Sequence, residues 1–70
     1  MDIVGLILKV SIEGARKGRI MDKASLTVIQ LKDYLFLLLG NRLLCYRKGT
    51  SMYKTTEKGL RMLDVYSGIN

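Results

Sequence analysis

The chain has 70 residues, of which 49% are hydrophobic, so residues 1–70 are expected to form one small domain. So high an apolar content on so small a domain predicts that part of the apolar surface meets a partner chain. Twelve basic and six acidic residues give a net charge of +6, which favours a polyanion such as nucleic acid as a partner. A solvated basic surface without such a partner is the alternative.

The residue types present also exclude several kinds of site. There is no histidine and only Cys45 as a cysteine, which rules out a disulfide, a zinc site and a histidine-based triad within one chain. Paired carboxylates and glycine-rich phosphate loops are missing as well, so we expect no enzyme, cofactor, metal or small-molecule ligand. No apolar run approaches the ~20 residues of a membrane span, and Asp2 replaces the positive start of a signal peptide. A cytoplasmic protein without membrane contact is predicted.

Residues 2–13 are predicted to form the first helix, with Asp2 favouring its N-terminus. The helix carries two apolar stripes, of which the first consists of Ile3, Leu6, Ile7 and Val10 and the second of Val4, Leu8 and Ile12. One small core needs only one stripe, so the other is expected to face a second subunit. Burial of both stripes between two layers of the same domain is the alternative.

A glycine-bracketed basic turn follows, with Gly14 suited to cap the first helix and Gly18 suited to start the next, over residues 19–24. Ile20 and Met21 are expected to point inward. The surrounding cations are predicted to contact DNA phosphates, or else to be merely solvated. They are Arg16, Lys17, Arg19 and Lys23.

Residues 27–39 are predicted to form a second helix of the pair, giving a helix-turn-helix. Thr27 is a good N-cap, and the spacing of Leu31, Leu35 and Leu38 marks one buried face. The predicted base contacts lie at its start and on its other side, with Gln30 expected to read adenine. They are Thr27, Val28, Ile29, Gln30, Lys32 and Asp33. Tyr34 is expected to pack against the following hairpin, and either Phe36 or Leu37 should be partly exposed.

Residues 43–47 and 52–55 are predicted to form a β-hairpin around a turn at residues 48–51. Residues 47–54 would then be a basic wing, placed on the DNA backbone or in the minor groove. The predicted wing contacts are Arg47, Lys48, Thr50, Ser51 and Lys54. The pattern predicts an α+β winged helix-turn-helix in the order helix, helix, helix, strand, strand, helix.

Thr56 is the predicted N-cap of the last helix, along which Leu60 and Leu63 would close the core and which Gly68 would end. A second stripe has the spacing of a coiled-coil seam and consists of Gly59, Met62, Tyr66 and Ile69. A homodimer is therefore expected through the first and last helices. Its predicted interface consists of Ile3, Val4, Leu8, Met62, Tyr66 and Ile69.

Four segments resemble the small archaeal winged-helix DNA-binding proteins, some of which are chromatin-associated dimers joined by a coiled coil. These segments are Gly14-Ala-Arg-Lys-Gly-Arg-Ile-Met21, Ala24-Ser-Leu-Thr27, Gln30-Leu-Lys-Asp-Tyr-Leu35 and, most specifically, Tyr53-Lys-Thr-Thr-Glu-Lys-Gly-Leu60. The chain departs from the family at Asp33, where a basic residue is common, and at the apolar Val28 and Ile29. It also stops where a long coiled coil would begin.

Two classes of function are therefore expected. The first is sequence-specific or semi-specific binding of double-stranded DNA by a small nucleoid-associated transcriptional regulator, with an architectural chromatin protein as a variant. Its recognition helix, 27–39, would enter the major groove and its wing, 47–54, would follow the backbone. The second class is a protein-interaction winged helix that uses the apolar faces of the first and last helices and touches DNA weakly.

Overall fold

The computed structural model describes residues 2–68, and the side chains of residues 2–65. The elements follow the predicted order: α1 (Ile3–Val10), α2 (Lys17–Ala24), α3 (Val28–Gly40), β1 (Leu44–Arg47), β2 (Met52–Thr55) and α4 (Glu57–Gly68). The main packing contacts join α1 to α2 and α4, and α3 to α2 and β1. Strand β2 contacts α1 and α4, and β1 contacts α3, so the hairpin packs against three of the four helices.

Helix α1 begins as predicted but ends early. The Asp2 carboxylate accepts a hydrogen bond of 2.7 Å from the Gly5 backbone N–H, which caps the helix. The helix stops at Val10, whereas the sequence predicted residue 13. The carbonyl of Ser11 accepts hydrogen bonds from the backbone N–H groups of Gly14 and Thr55, which helix continuation would disrupt. Gly14, with φ of 102°, therefore ends a turn and does not cap the helix.

Ala15 joins the hairpin as a short third strand segment that the sequence did not predict. Its backbone exchanges two hydrogen bonds with Tyr53, at 2.8 and 2.7 Å, in an antiparallel bridge. Arg16 and Lys17 follow directly, and α2 starts at Lys17, earlier than the predicted residue 19. The bridge thus fixes the start of α2 beside β2.

The turn between α2 and α3 depends on one left-handed residue and one capping box. Ser25 has φ of 53°, and the Leu26 N–H reaches back to the Met21 carbonyl at 3.0 Å. The Thr27 hydroxyl accepts from the Gln30 N–H at 3.2 Å, while the Gln30 Oε1 accepts from the Thr27 N–H at 3.0 Å. The predicted N-cap is confirmed, and it satisfies two backbone donors that the helix itself leaves without acceptors.

The hairpin pairs Leu44 with Thr55 and Arg47 with Met52 across antiparallel strands. Because side chains alternate between the faces of a strand, its two faces have different compositions. The inner face carries Leu44, Tyr46, Tyr53 and Thr55. The outer face carries Cys45, Arg47, Met52 and Lys54.

Helix α4 starts as predicted but presents a different face to the core. The Thr56 hydroxyl accepts from the Gly59 N–H at 3.1 Å and donates to the Arg42 carbonyl at 2.6 Å. Gly59 is buried against Leu43 and is not part of an outer seam. Leu60 is 41% exposed, so its predicted place in the core is wrong, while Leu63 packs against the core as predicted. The side chains of Tyr66 and Ile69 lie outside the described residues.

One cluster of apolar side chains forms the core, drawn from the helices, the hairpin and the segments between them. It consists of Ile7, Leu8, Ala15, Ile20, Ala24, Leu26, Leu31, Leu35, Leu38, Leu43, Leu44 and Tyr53. Leu8 is completely buried, so its predicted place in a dimer interface is wrong. Ile3, Val4 and Met62 are half-buried and pack against the same core. Both stripes of α1 thus contribute to one domain, because α2 and α4 both pack against this helix.

Replacing Thr55 by valine is expected to lower the free energy of unfolding by about 1–3 kcal/mol. The buried Thr55 hydroxyl donates to the Leu8 carbonyl, at the end of α1, at 2.6 Å. Valine keeps the shape of threonine but leaves that carbonyl without its side-chain donor. Urea unfolding measures the loss, and Thr50→Val, at an exposed turn position, is the control. Equal stability of the two variants would contradict the role of this hydrogen bond.

Candidate nucleic-acid interface

The exposed side of α3 is much more apolar than a surface that contacts only water and phosphate. Val28 is 68% exposed, Ile29 74%, Phe36 82% and Leu37 51%. Either Phe36 or Leu37 was expected to be partly exposed, and both are. The helix has apolar residues around most of its circumference, whereas the core receives only the side that carries Leu31, Leu35 and Leu38.

All six predicted base-contacting residues, Thr27–Gln30, Lys32 and Asp33, are exposed. Their hydrogen-bonding capacity is smaller than the sequence indicated, because Gln30 Oε1 already accepts the Thr27 N–H in the capping box. Bidentate recognition of adenine needs both the oxygen and the nitrogen of the amide. While Gln30 stays in the capping box, its amide has one acceptor position fewer to offer adenine.

A groove of about 400 Å³ runs beside α3 and brings together residues that are distant in the sequence. It is lined by Lys17, Val28, Leu31, Lys32, Leu35, Phe36, Leu39 and Tyr53. Lys17, predicted as a phosphate contact, and Lys32, predicted as a base contact, thus line one groove. The remainder of its lining is mainly apolar. The roles of Phe36 and Tyr53 in this lining were not predicted, since they depend on how the hairpin packs against α3.

Tyr53 is buried at this groove and has the exposed Tyr46 beside it on the inner face of the hairpin. The two ring centroids are 4.9 Å apart and the planes are tilted by 47°. Burial raises the pKa of the Tyr53 phenol above its ordinary value, and the neighbouring Tyr46 raises this pKa further. The phenol therefore stays protonated throughout the neutral range, so among the described residues that line the groove the charged groups are the two lysines.

The predicted backbone contacts are all exposed, and they come from separate elements of the chain. The bridge between Ala15 and Tyr53 holds Arg16 and Lys17 beside β2. Arg47 and Lys54 lie on the outer face of the hairpin, whereas Tyr53 lies on the inner face that lines the groove. The others lie on α2 and in the hairpin turn, and they are Arg19, Lys23, Lys48, Thr50 and Ser51.

Comparison with known protein families agrees with this architecture. The family model described as winged helix-turn-helix matches residues 1–70. No match was found among curated proteins. The α+β layout, with a two-stranded antiparallel hairpin between α3 and α4, is that of the family, whose domains typically bind DNA and are not enzymes. Within residues 2–68, no helix has both the length and the apolar character needed to cross a membrane. The chain therefore belongs to the winged helix-turn-helix family.

Proposed function

We propose that the protein binds double-stranded DNA, with α3 in the major groove and residues 47–54 along the backbone or in the minor groove. The observation that carries this proposal is the convergence of Lys17 and Lys32 on the groove beside α3. Two cations from separate elements at the exposed side of the second helix suit a ligand that carries regularly spaced negative charges.

Phosphate contacts are proposed for two groups of cations. Arg16 and Lys17 stand at the start of α2, where backbone N–H groups without helical acceptors also favour an anion. Arg47 and Lys54, on the outer face of the hairpin, would meet the backbone at one side of the duplex, with Lys48 in the turn. Contacts of this kind position a protein on DNA without reading its sequence.

Base recognition is proposed to be semi-specific. Lys32 can donate to guanine, Asp33 can accept from the amino group of cytosine, and Val28 and Ile29 can contact thymine methyl groups. Gln30 can add a contact to adenine, with one lone pair of its Oε1 already used in the capping box. This limited set fits a small transcriptional regulator with loose sequence preference, or an architectural protein of the nucleoid in the cytoplasm.

The double variant Lys32→Ala/Arg47→Ala is expected to weaken duplex binding roughly 10- to 100-fold at moderate salt. Each cation removed from a phosphate should also lower the slope of log K against log salt by about 0.9. Fluorescence anisotropy of a labelled mixed-sequence duplex, titrated at several salt concentrations, measures both quantities. A second duplex carries a sequence that has been enriched by selection for binding. A large difference between the affinities for the two duplexes indicates a regulator, and a small difference indicates an architectural protein.

The matched control is Lys9→Ala/Arg61→Ala, which removes the same charge from exposed positions on α1 and α4, two helices that pack against each other and outside the proposed contact elements α3 and the hairpin. Its affinity should fall by only a fewfold, because the lost charges act at a distance. Arg61 pairs with Glu57 at 2.9 Å, but both side chains are exposed, so the fold does not depend on that pair. Equal losses in the two double variants would contradict the placement of α3 and the hairpin on DNA.

The apolar exposed side of α3 favours a second candidate, a winged helix that binds protein. Four large apolar side chains more than half exposed on one helix are typical of a protein interface. The predicted homodimer through the first and last helices has less support, since Leu8 is in the core and Ile3 and Val4 are half-buried. A protein partner is therefore proposed to meet α3.

A further inference from the structure

The groove beside α3 has an apolar floor and a cationic rim. Three buried side chains form the floor, and they are Leu31, Leu35 and Tyr53. Four exposed side chains form most of the rim, and they are Lys17, Val28, Lys32 and Phe36. The described lining contains two cations and no carboxylate. Such a groove is complementary to a ligand that is apolar along its middle and negative at its edges.

The two rim cations come from different elements of the fold. Lys32 lies on α3, whereas Lys17 is the first residue of α2, where backbone N–H groups without helical acceptors add partial positive charge. Asp33 follows Lys32 in the sequence, but it lies about 100° further around α3 and does not line the groove. The rim therefore keeps an excess of positive charge.

The backbone around the groove favours a helical ligand over an extended one. Six of the eight lining residues lie on α3, and backbone groups inside a helix bond to one another. The N–H and the C=O of Tyr53 are both bonded to Ala15, at 2.7 and 2.8 Å. A strand in the groove would bury backbone groups that find no partners there, whereas a helix satisfies its own.

We propose that the groove binds an amphipathic helix of another protein, with its apolar stripe on the floor and acidic residues on both sides of that stripe. The acidic residues would meet Lys17 and Lys32. This proposal rests on the second candidate function, protein binding by α3, and specifies the partner, but it does not require DNA binding. A second copy of the chain is a poor occupant, because it brings a net charge of +6 and the same two lysines.

Three synthetic peptides of about 18 residues, long enough to form helix, test the proposal. The first has leucines at intervals of three and four residues and glutamates on both sides of that stripe. The second replaces the glutamates with lysines, and the third keeps the composition of the first but spreads the leucines around the helix. Anisotropy of the labelled peptides should give a dissociation constant on the order of 10 μM for the first and roughly tenfold weaker binding for the others.

Charge reversal in the rim should reverse the preference between the first two peptides. Lys17→Glu/Lys32→Glu should bind the glutamate peptide roughly 10- to 100-fold more weakly than the wild type does, and should bind the lysine peptide more tightly. Lys9→Glu/Arg61→Glu makes the same change in net charge at exposed positions on α1 and α4 that do not line the groove. This control should weaken binding of the glutamate peptide by only a fewfold.

Two truncations test the apolar contact. Phe36→Ala, at the rim, should weaken binding of the glutamate peptide roughly tenfold, whereas Val65→Ala, at a 68% exposed position on α4, should leave it unchanged. Circular dichroism confirms that each variant is folded. Equal losses from rim charge reversal and from its control would overturn the proposal. So would equal binding of the first and third peptides, or no binding of the first at millimolar concentration.

Two other occupants of the groove are tested in the same series. Titration calorimetry with octanoate, which has an apolar chain and one carboxylate, tests a small amphipathic anion. Sedimentation velocity without peptide tests a second copy. Octanoate binding that depends on Lys17 and Lys32, or a dimer that Phe36→Ala abolishes, would overturn the proposal if the glutamate peptide does not bind.

The duplex titration separates this proposal from DNA binding. Arg47→Ala/Lys54→Ala, on the outer face of the hairpin, should weaken duplex binding but not peptide binding, since neither residue lines the groove. If the duplex does not bind while the peptide series behaves as expected, helix docking stands and DNA binding fails. If duplex binding depends on Lys32 while the glutamate peptide does not bind, DNA binding stands and helix docking fails. If both hold, excess glutamate peptide should release the duplex, because both ligands require α3.

Discussion

Replacing Gly59 by alanine is expected to lower the free energy of unfolding by about 3 kcal/mol. A Cβ atom at this position would lie 2.5 Å from the Leu43 carbonyl oxygen and 2.6 Å from the Thr55 Cγ2 atom. The nearer of these is backbone, so relief requires the first turn of α4 to move away from the hairpin. That movement would also strain the hydrogen bond that the Gly59 N–H donates to Thr56.

Gly18→Ala is the matched control for this substitution. Gly18 lies inside α2, and a Cβ atom there would meet nothing within 4 Å. Alanine should therefore raise the free energy of unfolding by about 0.5–1 kcal/mol, because it favours the helix more than glycine does. Urea unfolding followed by circular dichroism compares the two variants. A Gly59→Ala variant as stable as the wild type would show that α4 does not approach the hairpin this closely.

Leu8→Ala is expected to lower the free energy of unfolding by about 3–5 kcal/mol. Leu8 is 0% exposed and belongs to the central cluster, so the truncation leaves a cavity in the core. The total stability of a small domain is only about 5–15 kcal/mol, so this single change can leave a substantial unfolded fraction at 37 °C.

The same variant distinguishes a core residue from an interface residue. A core cavity shifts the unfolding midpoint of Leu8→Ala by the same amount at every protein concentration, whereas a lost subunit contact makes the shift depend on concentration. Ile12→Ala is the control on the adjoining turn. Ile12 is 37% exposed, so its truncation should lower the free energy of unfolding much less than Leu8→Ala does. A concentration-dependent shift for Leu8→Ala would contradict this core position and would place Leu8 at a dimer interface.

Elements governed by local signals could be predicted from the sequence. The caps at Thr27 and Thr56 act over three residues, and both are present in the structure. The repeat of leucines in α3 determined its buried side in the same local way. The order of helices and strands follows from such signals and needs no knowledge of tertiary packing.

What the sequence left open depends on contacts between distant segments. The early end of α1 reflects the bond from the Thr55 N–H to the Ser11 carbonyl, which no local pattern contains. The spacing of apolar residues in α4 fitted two faces equally well. The close approach of Leu43 to Gly59 selects the face that is buried, and this leaves Leu60 outside.

For the candidate site, too, the features that depend on local signals could be predicted, and those that depend on contacts between distant segments could not. Exposure of Lys32 and Asp33 followed from the periodicity of α3, since the opposite side was already assigned to the core. The groove that unites Lys17 with Lys32 could not be predicted, because the bridge between Ala15 and Tyr53 places the start of α2 beside β2. The separation of Arg47 from the groove likewise follows from the register of the hairpin.

The bridge between Ala15 and Tyr53 also bears on the thermodynamics of any ligand that spans α2 and the hairpin. A hairpin attached only at its two ends would lose conformational entropy on binding, and that loss would weaken the complex. Here two backbone hydrogen bonds already restrict the hairpin relative to the start of α2 in the unbound protein. The backbone at Arg16 and the backbone of the hairpin are therefore preorganised relative to each other, so the entropy lost on binding a charged surface is mainly that of the exposed cationic side chains.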